Sequence, residues 1–122
     1  MMIIMTNLEY LETILETTIG PMDFFATSKA QPNTFVLVDV RNAPSHIKKV
    51  KITGAIEIPE NDIKNRLGDF PKDKVIVVYC WDTWCNLAKH ASVELIKNGY
   101  TVKELCGGIA AWQSLKLPIT EL

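Results

Sequence analysis

Three side chains in this chain suit nucleophilic chemistry at neutral pH: Cys80, Cys85 and Cys106. Cys80 has the most distinctive setting. It directly follows the β-branched run Val75-Ile76-Val77-Val78-Tyr79 and precedes a helical pattern. A strand in that place holds the cysteine Cα rigidly, and loop amides with the positive end of the next helix are expected to lower the thiol pKa and cradle an anion. Position alone leaves a second reading open, in which Cys80 ends the strand as a small buried apolar side chain. Cys85 lies in the same tight loop, within reach of a disulfide with Cys80 or of persulfide resolution. The spacing is not Cys-x-x-Cys, and a cysteine pair without further ligands makes a poor zinc site, so neither metal nor cofactor is expected. Cys106, before Gly107-Gly108, reads as packing.

Other polar and aromatic residues surround this centre. Trp81 and Trp84 flank Asp82-Thr83, and the loop closes at Asn86. The tryptophans either face outward, as a contact surface for an apolar or peptidic partner, or turn inward to anchor the loop. Asp39-Val40-Arg41 places an acid and a cation at another strand end, which suits an internal ion pair that shapes the site. His90 reads as a packed or solvated histidine, because nothing in the sequence brings it near Cys80, and His46 reads as a surface residue.

The positioning elements follow from hydrophobic periodicity. Thr6 is an N-cap candidate for a helix carrying Leu8, Leu11, Ile14 and Leu15 on one face, halted at Gly20-Pro21. A shorter helix is expected over Met22 to Ala30. Phe35 to Val38, ending at Asp39, is an uninterrupted apolar run of the kind buried on both faces in parallel sheets. A polar, lysine-rich stretch covers Asn42 to Lys51. Ala55 to Ile58 reads as a short strand, Asn61 to Leu67 as a helix, and Val75 to Tyr79 as the central strand. Leu87, Ala91 and Leu95 then mark a helix closed by Asn98-Gly99. Val102 to Leu105 gives another strand, Gly107-Gly108 opens a final helix through Trp112, and Leu117-Pro118 begins the tail. Alternating strands and helices predict a parallel sheet covered on both faces, with the site at the carboxyl ends of its strands.

Composition narrows the function classes. With 122 residues, 48% hydrophobic and 22% charged, the chain can bury one sizeable core, and one domain is expected. The net charge of −1, from 13 basic and 14 acidic residues, provides no global field for nucleic acid or an anionic membrane. Met1 to Met5 is apolar but shorter than the ~7–15 residues of a signal-peptide core, so a cytoplasmic location is expected. The odd number of cysteines, 3, argues against a disulfide framework and for thiol chemistry.

Successive motifs then resemble the signatures of single-domain rhodaneses: Phe35-Val36-Leu37-Val38-Asp39-Val40-Arg41, Ile52-Thr53-Gly54-Ala55-Ile56-Glu57-Ile58-Pro59, Val77-Val78-Tyr79-Cys80, Leu95 with Gly99-Tyr100, and Leu105-Cys106-Gly107-Gly108-Ile109-Ala110-Ala111-Trp112. The match runs in order from about Phe35 to Pro118. The resemblance implies an α/β fold with a roughly five-stranded, mostly parallel sheet and helices on both faces. It assigns 31–122 to the rhodanese-like domain; 1–30, outside the strongest part of the match, reads as an N-terminal helical extension of the same domain whose apolar face covers the sheet or serves a dimer. It also implies a sulfurtransferase. Cys80 would carry sulfane sulfur as a persulfide from a small donor to a thiol or cyanide acceptor, Cys85 would be a resolving thiol, the amides of Trp81 to Asn86 would cradle the persulfide, and Asp39 and Arg41 would support the site.

The departures carry chemical consequences. The loop contains no glycine, lysine or arginine, so poor use of dianionic thiosulfate is expected. Phosphatase chemistry is disfavoured, because Cys85 or Leu87 stands where an arginine would clamp phosphoryl oxygens. The competing functions are a non-catalytic module that binds a protein partner through the Trp81/Trp84 loop, and a thiol redox protein using Cys80 and Cys85.

Overall fold

Phe35–Asp39 and Val75–Tyr79 pair in parallel along their full length, from Phe35 opposite Val75 to Asp39 opposite Tyr79. Such β-branched ladders are buried on both faces and nucleate the rest of the sheet. In the computed structural model, which describes residues 4–122, they are β2 and β5. Met1–Ile3, part of the apolar N-terminal run, lie outside the described residues. The other strands are β1 (Thr18–Ile19), β3 (Val50–Ile52), β4 (Ile56–Glu57), β6 (Thr101–Leu105) and β7 (Ile119–Glu121). The helices are α1 (Asn7–Thr17), α2 (Pro21–Ala30), α3 (Leu87–Lys97) and α4 (Gly108–Ser114).

The main sheet has five strands in the order β1-β6-β5-β2-β4, so β5 is central. Every neighbouring pair in it is parallel. Alternation along the strands divides the core. Val38, Ile76, Val78 and Val102 pack on one face against Ile63 and against Ala88, Ala91 and Leu95 of α3. Leu37, Val77, Tyr79 and Leu105 pack on the other against Phe24 of α2 and Ile109 and Trp112 of α4. The fold is the α/β architecture expected, with helices on both faces.

Some local expectations need correction. The helix read over Asn61 to Leu67 is two 3-10 segments, Glu60–Asn65 and Leu67–Asp69. Pro59, Pro71 and Gly68 confine the span, and Asn61, Asp62 and Asn65 compete for backbone hydrogen bonds, which favours short, tight turns. The lysine-rich stretch, for which the sequence suggests no element, runs into a strand. Its end forms β3, which pairs antiparallel with β7 in the C-terminal tail as a separate two-stranded sheet. α1 carries a full capping box between Thr6 and Glu9, as its sequence suggests. Its apolar face does not cover the sheet, since Leu8, Leu11 and Leu15 are 67%, 56% and 74% exposed. Among the described residues, no helix is long and apolar enough to cross a membrane.

The turn before α4 sets how closely that helix approaches the end of β5. Gly107 and Gly108 both have positive φ, 75° and 58°. A Cβ on Gly108 would meet the Cys80 carbonyl oxygen at 2.5 Å and the Trp81 carbonyl carbon at 2.9 Å. The left-handed conformation and the backbone contact together require glycine. Gly108→Ala is expected to destabilise the fold by at least about 1–3 kcal/mol, the cost of such a strained backbone. A lower urea midpoint with an unchanged slope is the readout.

Candidate active site

Cys80 is the first residue after β5, and two α4 amides grip its backbone. Ile109 N–H donates to the Cys80 carbonyl at 3.0 Å, and Ala110 N–H to that of Trp81 at 3.0 Å. The Cys80 side chain is buried, at 2% exposure. Its thiol donates to the Cys85 carbonyl at 3.4 Å. The amides of Ala88 and Trp81 favour the Cys80 thiolate. Those of Leu87 and Trp81, together with the neighbouring Cys80 thiol, favour the Cys85 thiolate. Leu87 and Ala88 begin α3, where backbone N–H groups have no intrahelical partner and can serve an anion.

This cradle differs from the expected one, in which every amide from Trp81 to Asn86 contributes. Thr83 N–H is bonded to Asp82 Oδ1 at 2.6 Å and Cys85 N–H to the Asp82 carbonyl at 3.1 Å. Asp82 thus folds the loop on itself, and the helix start supplies donors in their place. The ionisation order also departs from expectation. Burial, followed by the neighbouring Cys85 thiol, pushes Cys80 up to about 11. For Cys85 burial acts in the same direction, but the hydrogen bond from Cys80 and the amides of Leu87 and Trp81 outweigh it and lower the pKa. The shared proton therefore resides on Cys80 and the first negative charge on Cys85.

The two tryptophans separate. Trp81 is half-buried, with the Arg41 guanidinium 4.6 Å from its ring centroid. Trp84 is 71% exposed. Both line an open cleft of about 540 Å³, together with Arg41 and Lys49. A smaller pocket of about 190 Å³ lies on the other side of Asp82, walled by Cys80, Thr83, Lys89, Glu104, Cys106 and the Gly107-Gly108 turn. Asn86 is exposed and precedes α3 without a side-chain capping bond.

Asp39 and Arg41 form a wholly buried pair. Arg41 Nε and Nη2 donate to the Asp39 carboxylate at 2.9 Å and 2.6 Å, and Nη2 also donates to the Val50 carbonyl at 2.6 Å. Tyr79 Oη donates to Asp39 Oδ2 at 2.9 Å and accepts from Ile52 N–H at 3.0 Å. Burial lowers the Arg41 pKa, but Asp39 and Tyr79 together raise it by more, so the guanidinium is held charged. Burial and the Asp39 charge hold Tyr79 protonated.

Sequence reasoning missed several of these residues. Tyr79 passed as strand filler. Lys89 and Glu104, paired at 3.1 Å, belong to a helix and a strand far apart in sequence. Cys106, read as packing, is exposed and opens on the Cys80 pocket. The parallel register could have signalled it, because β5 and β6 pair Val78 with Glu104, two residues before each cysteine. His46 and His90 are exposed, and neither lines a cleft that contains Cys80. Among the described residues, no group of three His, Cys, Asp or Glu side chains is placed to hold a metal ion.

The family model for the rhodanese-like domain matches residues 25–115. The chain belongs to the rhodanese-like family. A "Sulfurtransferase" of Allochromatium vinosum is 35% identical over 91 residues, covering 74% of this chain and 82% of that protein. The crystal structure of a full-length Lactobacillus plantarum protein superposes with a TM-score of 0.88 at 35% identity, covering 94% of this chain and 96% of that one. A Bacillus halodurans protein gives 0.82 at 32% identity, covering 93% and 82%. Within this rhodanese-like domain, the cation nearest the Cys80 pocket is Lys89 of α3 rather than a loop residue, and Glu104 neutralises it.

Thiolate absorbance in the far ultraviolet tests the ionisation order. Cys80→Ala removes the thiol that donates to Cys85, so the Cys85 midpoint is expected to rise. Cys85→Ala removes two influences that raise Cys80, so the Cys80 midpoint is expected to fall below its wild-type position of about 11 while burial keeps it above the ordinary thiol value. Unchanged midpoints in both variants would contradict the pairing.

Proposed function

We propose that the protein is a sulfurtransferase that carries sulfane sulfur as a persulfide on Cys80 and delivers it to a thiol or cyanide acceptor. The observation that carries this reading is the Cys80 sulfur itself. It stands at the carboxyl end of the central strand, its thiol donating to the Cys85 carbonyl at 3.4 Å, with the amides of Ala88 and Trp81 favouring its thiolate. Membership of the rhodanese-like family and the sulfurtransferase relative support it.

The chemistry runs in balanced steps. The Cys85 thiolate takes the Cys80 proton as Cys80 attacks the outer sulfur of a donor R–S–SH. The donor S–S bond breaks, R–S⁻ leaves, and Cys80–S–SH forms. An acceptor thiolate then attacks the outer sulfur and regenerates the Cys80 thiolate. Without an acceptor, Cys85 attacks the inner sulfur, releasing HS⁻ and closing a Cys80–Cys85 disulfide that an external thiol must reduce. Asp39 and Arg41 act through position, by fixing Trp81 and the root of the loop. This chemistry belongs in the cytoplasm, a compartment reducing enough to keep the three cysteines free.

Trp84 favours a second reading. At 71% exposure on the rim of an open cleft, it suits a peptidic partner, and a domain that only binds such a partner through the Trp81/Trp84 loop would keep its function in Cys80→Ser. Intact-protein mass spectrometry after incubation with 3-mercaptopyruvate or a low-molecular-weight persulfide separates these functions. Sulfur carriage adds one sulfur, about 32 Da, that disappears in Cys80→Ser and accumulates in Cys85→Ala, where no disulfide can close, whereas loss of about two hydrogens in the wild type with no sulfur gained by Cys85→Ala identifies a thiol redox couple. No mass change with any donor would leave the binding module.

The Lys89–Glu104 pair makes a further expectation about donors. Thiosulfate requires a free cation, and here the cation at the pocket is neutralised. Glu104→Gln is expected to accelerate loading from thiosulfate while leaving loading from an uncharged persulfide donor nearly unchanged. Equal acceleration with both donors would remove charge as the cause.

A further inference from the structure

Sulfur on Cys80 has an accessibility problem. The side chain is 2% exposed, and the pocket in front of it holds about 190 Å³, room for a few water-sized groups. A small donor fits such a space, but a thiol on a bulky acceptor does not enter it readily. The pocket has a second thiol in its wall, that of Cys106, which is exposed.

The sheet explains why the two cysteines meet. β5 and β6 run parallel with Val75 opposite Thr101 and Val78 opposite Glu104. Carrying that offset past the end of the ladder sets Cys80 abreast of Cys106. Residues abreast in a parallel pair point to the same face, here the face of Ile76, Val78 and Val102. Neighbouring strands lie about 4.8 Å apart, inside the range over which two cysteines exchange sulfur. The chain leaves this face at once, because Gly107-Gly108 turns it into α4 and Cys106 N–H bonds to the Ile19 carbonyl at 2.9 Å. That turn leaves Cys106 at the pocket mouth, beside the Lys89–Glu104 ion pair.

We infer that Cys106 is a relay thiol, which receives the sulfane sulfur from Cys80 across the shared pocket and presents it at the surface to the acceptor. The inference rests on sulfur carriage at Cys80. In the relay step the Cys106 thiolate attacks the outer sulfur of Cys80–S–SH. The Cys80 Sγ–S bond breaks, a Cys106 Sγ–S bond forms, and Cys80 leaves as the thiolate. The terminal proton stays with the transferred sulfur, and no net oxidation or reduction takes place. Cys85 attacks the inner sulfur and gives a disulfide, so the two thiols lead to different products.

Tryptic peptides separate the candidates, since Val75–Lys89 contains Cys80 and Cys85 while Glu104–Lys116 contains Cys106. The protein is loaded with a low-molecular-weight persulfide, trapped by alkylation at successive times and digested. Sulfur is expected first on Val75–Lys89 and then on Glu104–Lys116. Cys80→Ser should leave both peptides unloaded. Cys106→Ser should lose on the order of tenfold or more in delivery to a protein thiol, the advantage an intramolecular thiol has over a diffusing one, and with Cys85→Ala added to block the disulfide it should hold sulfur on Val75–Lys89. Sulfur confined to Val75–Lys89, with wild-type delivery by Cys106→Ser, would overturn the relay alone. Sulfur on neither peptide, in Cys85→Ala as in the wild type, would overturn carriage at Cys80 and the relay with it.

Discussion

The carboxylate of Asp39 joins parts of the chain that would otherwise have no fixed relation. It sits at 0% exposure at the end of β2 and accepts from Arg41 and Tyr79, with Lys48 Nζ at 3.9 Å. A buried carboxylate is tolerated only when its partners are complete, because an uncompensated charge in the interior costs several kcal/mol. Completing the set recruits β5 through Tyr79 and the β3/β7 ribbon through the Val50 carbonyl and the Ile52 amide. The pair is therefore a clamp between the main sheet and the small one. Trp81 lies over the same guanidinium, so the loop that holds the thiols starts from a point fixed by the clamp.

Around the thiols, two opposed effects decide where negative charge settles. Desolvation disfavours either thiolate, and donors favour whichever sulfur they reach. Amides of Trp81 and of the start of α3 favour the thiolate of both sulfurs. The difference arises between them, since Cys80 donates its proton and Cys85 accepts it.

Most of the fold was legible in the sequence, for physical reasons that also mark the exceptions. Val75–Tyr79 and Phe35–Asp39 are unbroken apolar runs, and only burial on both faces accommodates them. The β3/β7 ribbon escaped notice because Val50-Lys51-Ile52 is three residues long within a lysine-rich segment and its partner follows about seventy residues later, a separation no local pattern encodes. Cys80 was readable from its place after a β-branched strand. The charge order of Cys80 and Cys85 was not, because it depends on which amides the loop leaves free, and Asp82 takes two of them. Cys106 was misread as packing because Gly107-Gly108 signals a turn without saying which way the preceding side chain faces.

The sheet ends on both sides in strands of only two residues, β1 at one margin and β4 at the other. A long, flat margin presents a row of unpaired backbone donors and acceptors that another chain can extend. Here few such groups remain. Thr18 directs its hydroxyl back to the Ile14 carbonyl, and Glu57 at the opposite margin carries a charge engaged by Lys48 at 2.5 Å. Brief, charged or self-occupied margins give an incoming strand little to register against, so the architecture that concentrates reactive sulfur at one end also guards its flanks against the edge-to-edge association that leads to aggregates.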